Sequence, residues 1–305
     1  MLTWIRITIS AEIELVECLY GIFYEYGYLY STMKSLYSKQ DHDWFEMMTY
    51  IPDNEDAEAR KGKLEQALWH LQAFDLVAMD PPQYDQVPAS ELAPDEKNDG
   101  IYWVTDTIGI KISYETETRE ADYRIVVTLK PGTAFGSGYH PSTRLSIRAM
   151  EQFLKPHMSV LDVGTGTGIL AFIAAQTGCL DITAIDIDKA SVEHARENAV
   201  LNHSPHLELA HASIGDVTNT FDFVVANLPA SILSLQCQYI VHAVKAGGTI
   251  VLSGMTRTQA EEVKKQYEAR SLEKIGEIRD NDWIAYIFQK IETDTNGMHQ
   301  RGNNG

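Results

Sequence analysis

The sequence predicts an α/β fold with a mixed central sheet, preceded by a small α+β domain. Three observations support this prediction. The first 80 residues have the pattern strand, helix, strand, helix, strand, whereas apolar strands and helices alternate regularly after Ser159. A glycine-rich turn at 164–168 separates the first of these later strands from its helix. Such alternation forms a parallel sheet with helices on both faces, and a C-terminal hairpin over 272–290 adds antiparallel strands to it.

The composition is that of a globular chain with excess acid. Its 305 residues are 44% apolar, and 43 acidic against 25 basic side chains give a net charge of −18. Such a charge repels phosphate, which disfavours nucleic acid as a partner and favours a basic protein. The alternative is that the acidity serves solubility alone.

Features of targeting, membrane insertion and metal binding are missing from the sequence pattern. Glu12 and Glu14 interrupt the start where a signal peptide needs apolar residues, and no apolar run approaches the ~20 residues of a membrane span. Cys18, Cys179 and Cys237 are too widely spaced for a metal pair or a disulfide framework. We therefore expect a cytoplasmic, soluble protein without a metal site.

The N-terminal domain is predicted over 1–80. Residues 4–9 alternate like a strand, and Ser10 is expected to cap a helix that runs to Tyr26 and stops at Gly27. The pattern then predicts a strand over 28–37, a helix opened by the acidic run 53–56 and a strand over 74–79. This succession is typical of a ferredoxin-like domain, and it contains no catalytic motif.

A linker with connecting strands is predicted over 81–122, the larger domain over 123–292 and a disordered tail over 293–305. Several prolines and a charged run at 95–100 indicate a linker or long loop over 81–100, and the tail has little to bury. The connecting strands are expected at 101–104, 109–114 and 123–129. In the larger domain we expect strands at 160–163, 182–186, 206–210, 221–226 and 249–253, helices at 169–177, 189–201, 231–244 and 259–269, and hairpin strands at 272–278 and 283–290.

The candidate functional residues follow the strands of the larger domain. Ligands of doubly wound sheets bind at the carboxyl ends of strands. Asp162 lies there on the first strand, and Gly164 and Gly166 follow it in a turn that a ligand can approach closely. Asp186 ends the second strand, where a carboxylate suits the two hydroxyls of a ribose, and Asn227 follows the fourth. The pattern predicts a nucleotide-like cofactor.

Two cofactors match this pattern, S-adenosylmethionine and a nicotinamide dinucleotide. The dinucleotide fingerprint is usually G-x-G-x-x-G, whereas this turn is G-x-G-x-G after a carboxylate. Together with Asp186 and Asn227, that spacing favours S-adenosylmethionine and hence a methyltransferase.

Asn227 is the candidate catalytic residue. Its amide oxygen is suited to accept a hydrogen bond from a substrate N–H and so aim the nitrogen lone pair at a methyl donor. Because an ammonium has no lone pair, the substrate amine must first lose a proton. The alternative is that Asn227 only caps the helix near Ser231.

The segment 133–143 precedes the cofactor strand and adds two candidates. Phe135 is suited to stack on an adenine or to cover the methyl donor, and Thr143 to reach the cofactor carboxylate. A tight turn followed by a capped helix would explain the same composition. His140 has no acidic or nucleophilic partner nearby in the sequence, so packing in the turn is preferred over a role as a base.

These motifs together resemble the ribosomal protein L11 methyltransferase (PrmA-type) family. The matching stretches are TAFGSGYHPST at 133–143, LDVGTGTGIL at 161–170, AIDID at 184–188, ENA at 197–199, FDFVVANL at 221–228 and IVLSG at 250–254. The resemblance, which covers roughly 123–290, implies a class I methyltransferase domain behind a small substrate-recognition domain. It implies cofactor contacts at Thr143, Gly164, Asp186 and Asn227, and a ribosomal protein substrate methylated on lysine side chains and the N-terminal amine.

The sequence departs from the family pattern at three positions. Ser137 and Ser142 replace threonines, which are mild changes, and Pro229 stands where the family usually has another residue. The proline makes 227–229 similar to the Asn-Pro-Pro type of signature in enzymes that methylate planar amide or base nitrogens. An amine of a basic ribosomal protein is the first hypothesis for the substrate; a planar nitrogen or small molecule is the second. A catalytically silent, cofactor-binding interaction module is the third.

Overall fold

The computed structural model describes residues 3–27, 29–39, 42–72, 78–89, 101–112, 124–130, 132 and 134–291. The N-terminal domain begins with β1 (Thr3–Glu12), a short 3-10 helix (Ile13–Leu15) and α1 (Val16–Tyr26). It continues with β2 (Leu29–Lys39), β3 (His42–Pro52), α2 (Ala57–Gln72) and β4 (Gln83–Pro88).

The N-terminal sheet has the antiparallel order β2-β3-β1-β4. With two helices, this is the βαββαβ arrangement of a ferredoxin-like domain, as expected. Ile7 and Ile9 of β1 are fully buried in one apolar cluster with Leu19 and Phe23 of α1 and Leu64 of α2.

Three features of this domain differ from the prediction. β3 was not expected, and β4 lies within the predicted linker. β4 is an edge strand on which only Val87 is buried, so it lacks the apolar signal of a central strand, and an edge tolerates Pro88. The expected cap at Ser10 is wrong, because β1 continues to Glu12 in register with β3 and α1 begins only at Val16.

The connecting segment forms a small sheet of its own from β5 (Ile101–Trp103), β6 (Ile108–Ile112) and β7 (Ile125–Leu129). β5 runs antiparallel and β7 parallel to β6. All three strands were expected. Some predicted segments lie outside the described residues. They are the end of the second connecting strand at 113–114, the start of the third at 123, most of the strand predicted at 74–79, and the tail at 293–305.

The larger domain is built on a sheet with the order β10-β9-β8-β11-β12-β14-β13. Its elements are α3 (Pro141–Phe153), β8 (Ser159–Val163), α4 (Ile169–Thr177), β9 (Asp181–Asp186), α5 (Lys189–Leu201), β10 (Glu208–His211), β11 (Phe221–Asn227), α6 (Ala230–Leu235), α7 (Cys237–His242), β12 (Val244–Thr256), α8 (Arg257–Glu268), β13 (Leu272–Asp280) and β14 (Trp283–Lys290). In this order the first five strands, β10, β9, β8, β11 and β12, are parallel to one another. β14 lies between β12 and β13 and is antiparallel to both. This mixed sheet confirms the predicted class I methyltransferase fold.

The sheet positions a site at its centre. The strand order reverses between β8 and β11, which creates the switch point where ligands of open α/β sheets bind. The helix predicted over 231–244 is divided at Gln236 into α6 and α7. Among the described helices, none has the length and apolar character of a membrane span. The domain boundaries given above stay predictions.

Candidate active site

A cavity of about 560 Å³ lies at the carboxyl ends of β8, β9 and β11. Phe135, Gly164, Gly166, Asp186 and Asn227 line it. The two remaining predicted residues, Thr143 and Asp162, are buried beside the cavity. Thr143 is hydrogen-bonded to Asn227, and Asp162 is hydrogen-bonded to Thr165 of the glycine turn. The fold therefore brings together all seven side chains or turns selected from the sequence.

The glycine turn is held between two other segments. Gly164 and Gly166 have φ angles of 77° and 54°, in the left-handed region that favours glycine. A Cβ on Gly166 would stand 2.2 Å from the carbonyl oxygen of Phe135, and one on Gly164 would stand 2.4 Å from Cδ2 of Leu228. The glycines are therefore needed because neighbouring loops close over the turn, as well as for approach of a ligand.

Asp186 is held at the end of β9 by backbone donors. One carboxylate oxygen accepts a hydrogen bond of 3.0 Å from the N–H of Gly166, and the other accepts one of 2.9 Å from the N–H of Asp188. Since a carboxylate has about four acceptor positions, the group keeps capacity for two further donors. A vicinal diol supplies that number of donors.

Asp162 is a buried carboxyl behind the cavity. Its Oδ2 accepts a 2.7 Å hydrogen bond from the Thr165 hydroxyl, whereas its Oδ1 has no partner among the described residues. Burial, reinforced by the charge of Asp186, raises the pKa of Asp162 to about 7. A carboxyl with this pKa changes charge near neutral pH.

This raised pKa predicts a pH-dependent stability. The pKa of Asp162 is near 3.9 when the chain is unfolded, so the folded protein binds the proton more tightly. The free energy of unfolding therefore falls as pH rises from about 4 to about 7. We expect the Tm of the wild-type protein to fall a few degrees more than that of Asp162→Asn between about pH 5 and pH 8. Equal falls of the two Tm values would contradict the raised pKa.

Asn227 lines the cavity and is hydrogen-bonded to helix α3. Its Nδ2 donates a 3.2 Å hydrogen bond to the Thr143 hydroxyl, and its buried Oδ1 has no partner among the described residues. The cap of α6 is Pro229, without any side-chain hydrogen bond, so the alternative that Asn227 caps this helix is wrong. With the nitrogen bonded to Thr143, Oδ1 is the polar atom of this side chain that has no hydrogen-bond partner among the described residues.

The segment 135–140 closes one side of the cavity. The carbonyl oxygens of Phe135 and Gly136 accept hydrogen bonds from the N–H and the hydroxyl of Thr167, at 3.0 and 2.8 Å. The Phe135 side chain lines the cavity and is 45% exposed. The carbonyl bonds fasten the segment to the glycine turn, while the phenyl ring is left accessible to a ligand. Thr133, the start of the motif, lies outside the described residues.

His140 caps α3 and is a poor base. Its Nδ1 accepts a 3.2 Å hydrogen bond from the N–H of Ser142, and its ring packs against Trp283 at a centroid distance of 4.4 Å. Burial, with the nearby Arg144 charge, lowers the pKa of His140 to about 3. The imidazole is therefore neutral near pH 7, in agreement with the packing role preferred from the sequence.

Trp283 and Glu14 are among the cavity residues that the sequence analysis did not single out. Trp283, the first residue of β14, and Glu14, in the 3-10 helix before α1, both line the cavity. Trp283 follows a hairpin turn and belongs to no motif, and Glu14 is more than a hundred residues from the other lining residues. Among the described residues that line the cavity, none is a lysine or an arginine, so the carboxylates of Glu14 and Asp186 make its wall acidic.

Comparisons with known proteins agree with this fold. The family model described as ribosomal protein L11 methyltransferase (PrmA) matches residues 3–291. The ribosomal protein L11 methyltransferase of Staphylococcus aureus strain JH1 is 36% identical over 181 residues, 59% of this chain and 58% of that protein. The match therefore spans less than two thirds of the length of this curated relative. A crystal structure of the ribosomal protein L11 methylase of Lactobacillus delbrueckii subsp. bulgaricus superposes with a TM-score of 0.58 and 29% identity, covering 63% of this chain and 99% of that one.

Proposed function

Because the chain belongs to the ribosomal protein L11 methyltransferase family, we propose that it is an S-adenosylmethionine-dependent protein N-methyltransferase. Its substrate is a basic ribosomal protein of the L11 type, modified on lysine side chains, the N-terminal amine or both, in the cytoplasm. The observation that carries the proposal is the buried, unpartnered Oδ1 of Asn227 at the wall of the cavity.

The residues of the cavity suit S-adenosylmethionine as the cofactor. Asp186 has acceptor capacity left for the ribose diol, and the exposed Ile187 beside it offers an apolar surface to the adenine. When bound, the cofactor would supply a sulfonium methyl group whose carbon a nitrogen lone pair can attack, with the C–S bond breaking and S-adenosylhomocysteine as the leaving group.

The chain contributes positioning and charge to the reaction. Asn227 Oδ1 accepts a hydrogen bond from the substrate N–H and so restricts the direction of the nitrogen lone pair. Glu14 adds negative charge to a wall in which no basic residue is described, and this charge attracts a cationic amine. The amine reacts after losing its proton, since only the neutral form has a lone pair.

Transfer of labelled methyl groups to a ribosomal protein mixture tests the proposal. We expect label from S-adenosylmethionine in one small basic protein, with an equivalent amount of S-adenosylhomocysteine. Heat-denatured enzyme is the control. Label only in nucleic acid or in small molecules would contradict the proposed substrate.

The second hypothesis, a planar nitrogen as acceptor, is favoured by one observation. Pro229 lines the cavity two residues after Asn227 and is the N-cap residue of α6. Because proline has no backbone N–H, this edge of the cavity offers one hydrogen-bond donor fewer. Label confined to nucleic acid or small molecules would support this hypothesis. Cofactor binding without any S-adenosylhomocysteine formation would support the third, a silent binding module.

A further inference from the structure

We infer that Glu17, on the N-terminal domain, is a positioning residue for cofactor binding, because it holds the segment 135–140 against the glycine turn. This inference rests on the proposed function. It gives the N-terminal domain a part in building the cofactor site, beyond any contact that the domain makes with a substrate.

Both carboxylate oxygens of Glu17 accept hydrogen bonds from Ser137 of this segment. Oε2 accepts a 3.0 Å hydrogen bond from the N–H of Ser137, and Oε1 accepts a 2.9 Å bond from its hydroxyl. Ser137 is 3% exposed and lies between Gly136 and Gly138, whose φ angles are 108° and 92°. A segment with two left-handed glycines has little conformational preference of its own, so its shape depends on such anchors.

The anchor connects to the cofactor turn through two residues. Ser137 is bonded to Glu17 on one side, and the adjacent Gly136 and Phe135 carbonyls accept hydrogen bonds from Thr167 on the other. Phe135, exposed in the cavity, is thus held between the turn and the N-terminal domain. Loss of the anchor would release the segment from one side while its bonds to Thr167 remain.

Further contacts show that this is a specific join between the two domains. The Tyr139 ring lies 6.2 Å from the Tyr20 ring of α1 in the N-terminal domain and 4.9 Å from the ring of Tyr102 on β5 of the connecting segment. Burial raises the pKa of Glu17, and the bonds from Ser137 oppose that rise. A carboxyl is a costly choice where apolar contact already joins two surfaces, which indicates that its two acceptor oxygens are needed.

Calorimetry with S-adenosylhomocysteine tests the inference on the full-length protein. Glu17→Gln keeps the shape but provides one acceptor oxygen, so we expect Kd to rise about tenfold, and further in Glu17→Ala. Hydrogen exchange of peptides covering 135–140 should increase in both variants. Ser137→Ala loses the hydroxyl bond to Glu17 and the 3.4 Å bond from the Tyr139 N–H, but keeps the backbone bond to Glu17. It should show a smaller rise in Kd, and it keeps the inference testable if Glu17→Ala fails to fold.

The matched control is Glu25→Gln, the same change at an exposed position of the same helix. It should leave Kd and exchange unchanged. If the Glu17 variants bind with wild-type Kd while their Tm falls, Glu17 only joins the domains and the inference is wrong. Wild-type protein that does not bind S-adenosylhomocysteine would overturn the proposed function, and the inference with it.

Discussion

Asn227→Ala is expected to lower kcat by about 100- to 1,000-fold while changing the Kd for S-adenosylhomocysteine only a few-fold. The alanine variant lacks the amide oxygen that has no hydrogen-bond partner among the described residues, so under the proposed function the substrate nitrogen loses its orienting acceptor. The cofactor still has its proposed contacts with Asp186, at the end of β9, and with the glycine turn that follows β8. Steady-state methylation kinetics and calorimetry on the same preparation measure the two quantities.

The matched control is Asn219→Ala, at an exposed position in the loop before β11, at the opposite end of the strand from Asn227. It should retain wild-type kcat. A kcat for Asn227→Ala within a few-fold of wild type would show that Asn227 does not position the substrate nitrogen.

Asp186→Ala is expected to raise the Kd for S-adenosylhomocysteine by about 100-fold. Hydrogen bonds to a charged acceptor contribute about 1.5–3 kcal/mol each, and every ~1.4 kcal/mol is a factor of ten in Kd. The variant loses the acceptor for the ribose diol and also frees the N–H of Gly166, which Asp186 holds in place. Calorimetry measures the change.

Asp181→Ala provides the control, because Asp181 is an exposed carboxylate at the other end of the same strand. Its Kd should equal the wild-type value. If the two variants bind equally well, the ribose does not lie on Asp186 and the proposed cofactor orientation is wrong.

Local sequence signals were sufficient for the larger domain and most of its site. β8 is mostly apolar and the start of α4 is a continuous apolar stretch, the glycine-rich turn marks the boundary between them, and ligand sites of such sheets lie at strand ends. Asp186 and Asn227 could therefore be placed near Gly164 without coordinates. The helix over 231–244 was predicted too long, because Gln236 interrupts it without a proline or glycine signal.

Contacts between distant segments were beyond the sequence. The Ser10 cap was a reasonable local prediction, but pairing with β3 keeps this residue in β1. Glu14 and Glu17 belong to the site only because α1 packs on the segment 135–140. Trp283 enters the cavity because the hairpin folds back beside β12. None of these contacts has a motif of fixed spacing.

The most direct test of the central claim is mass spectrometry of purified ribosomal protein L11 after incubation with the enzyme and S-adenosylmethionine. We predict mass increments of whole methyl groups on lysine side chains or the N-terminal amine, matched by S-adenosylhomocysteine and abolished in Asn227→Ala. An unmodified L11 in the presence of bound cofactor and active, folded enzyme would contradict the account.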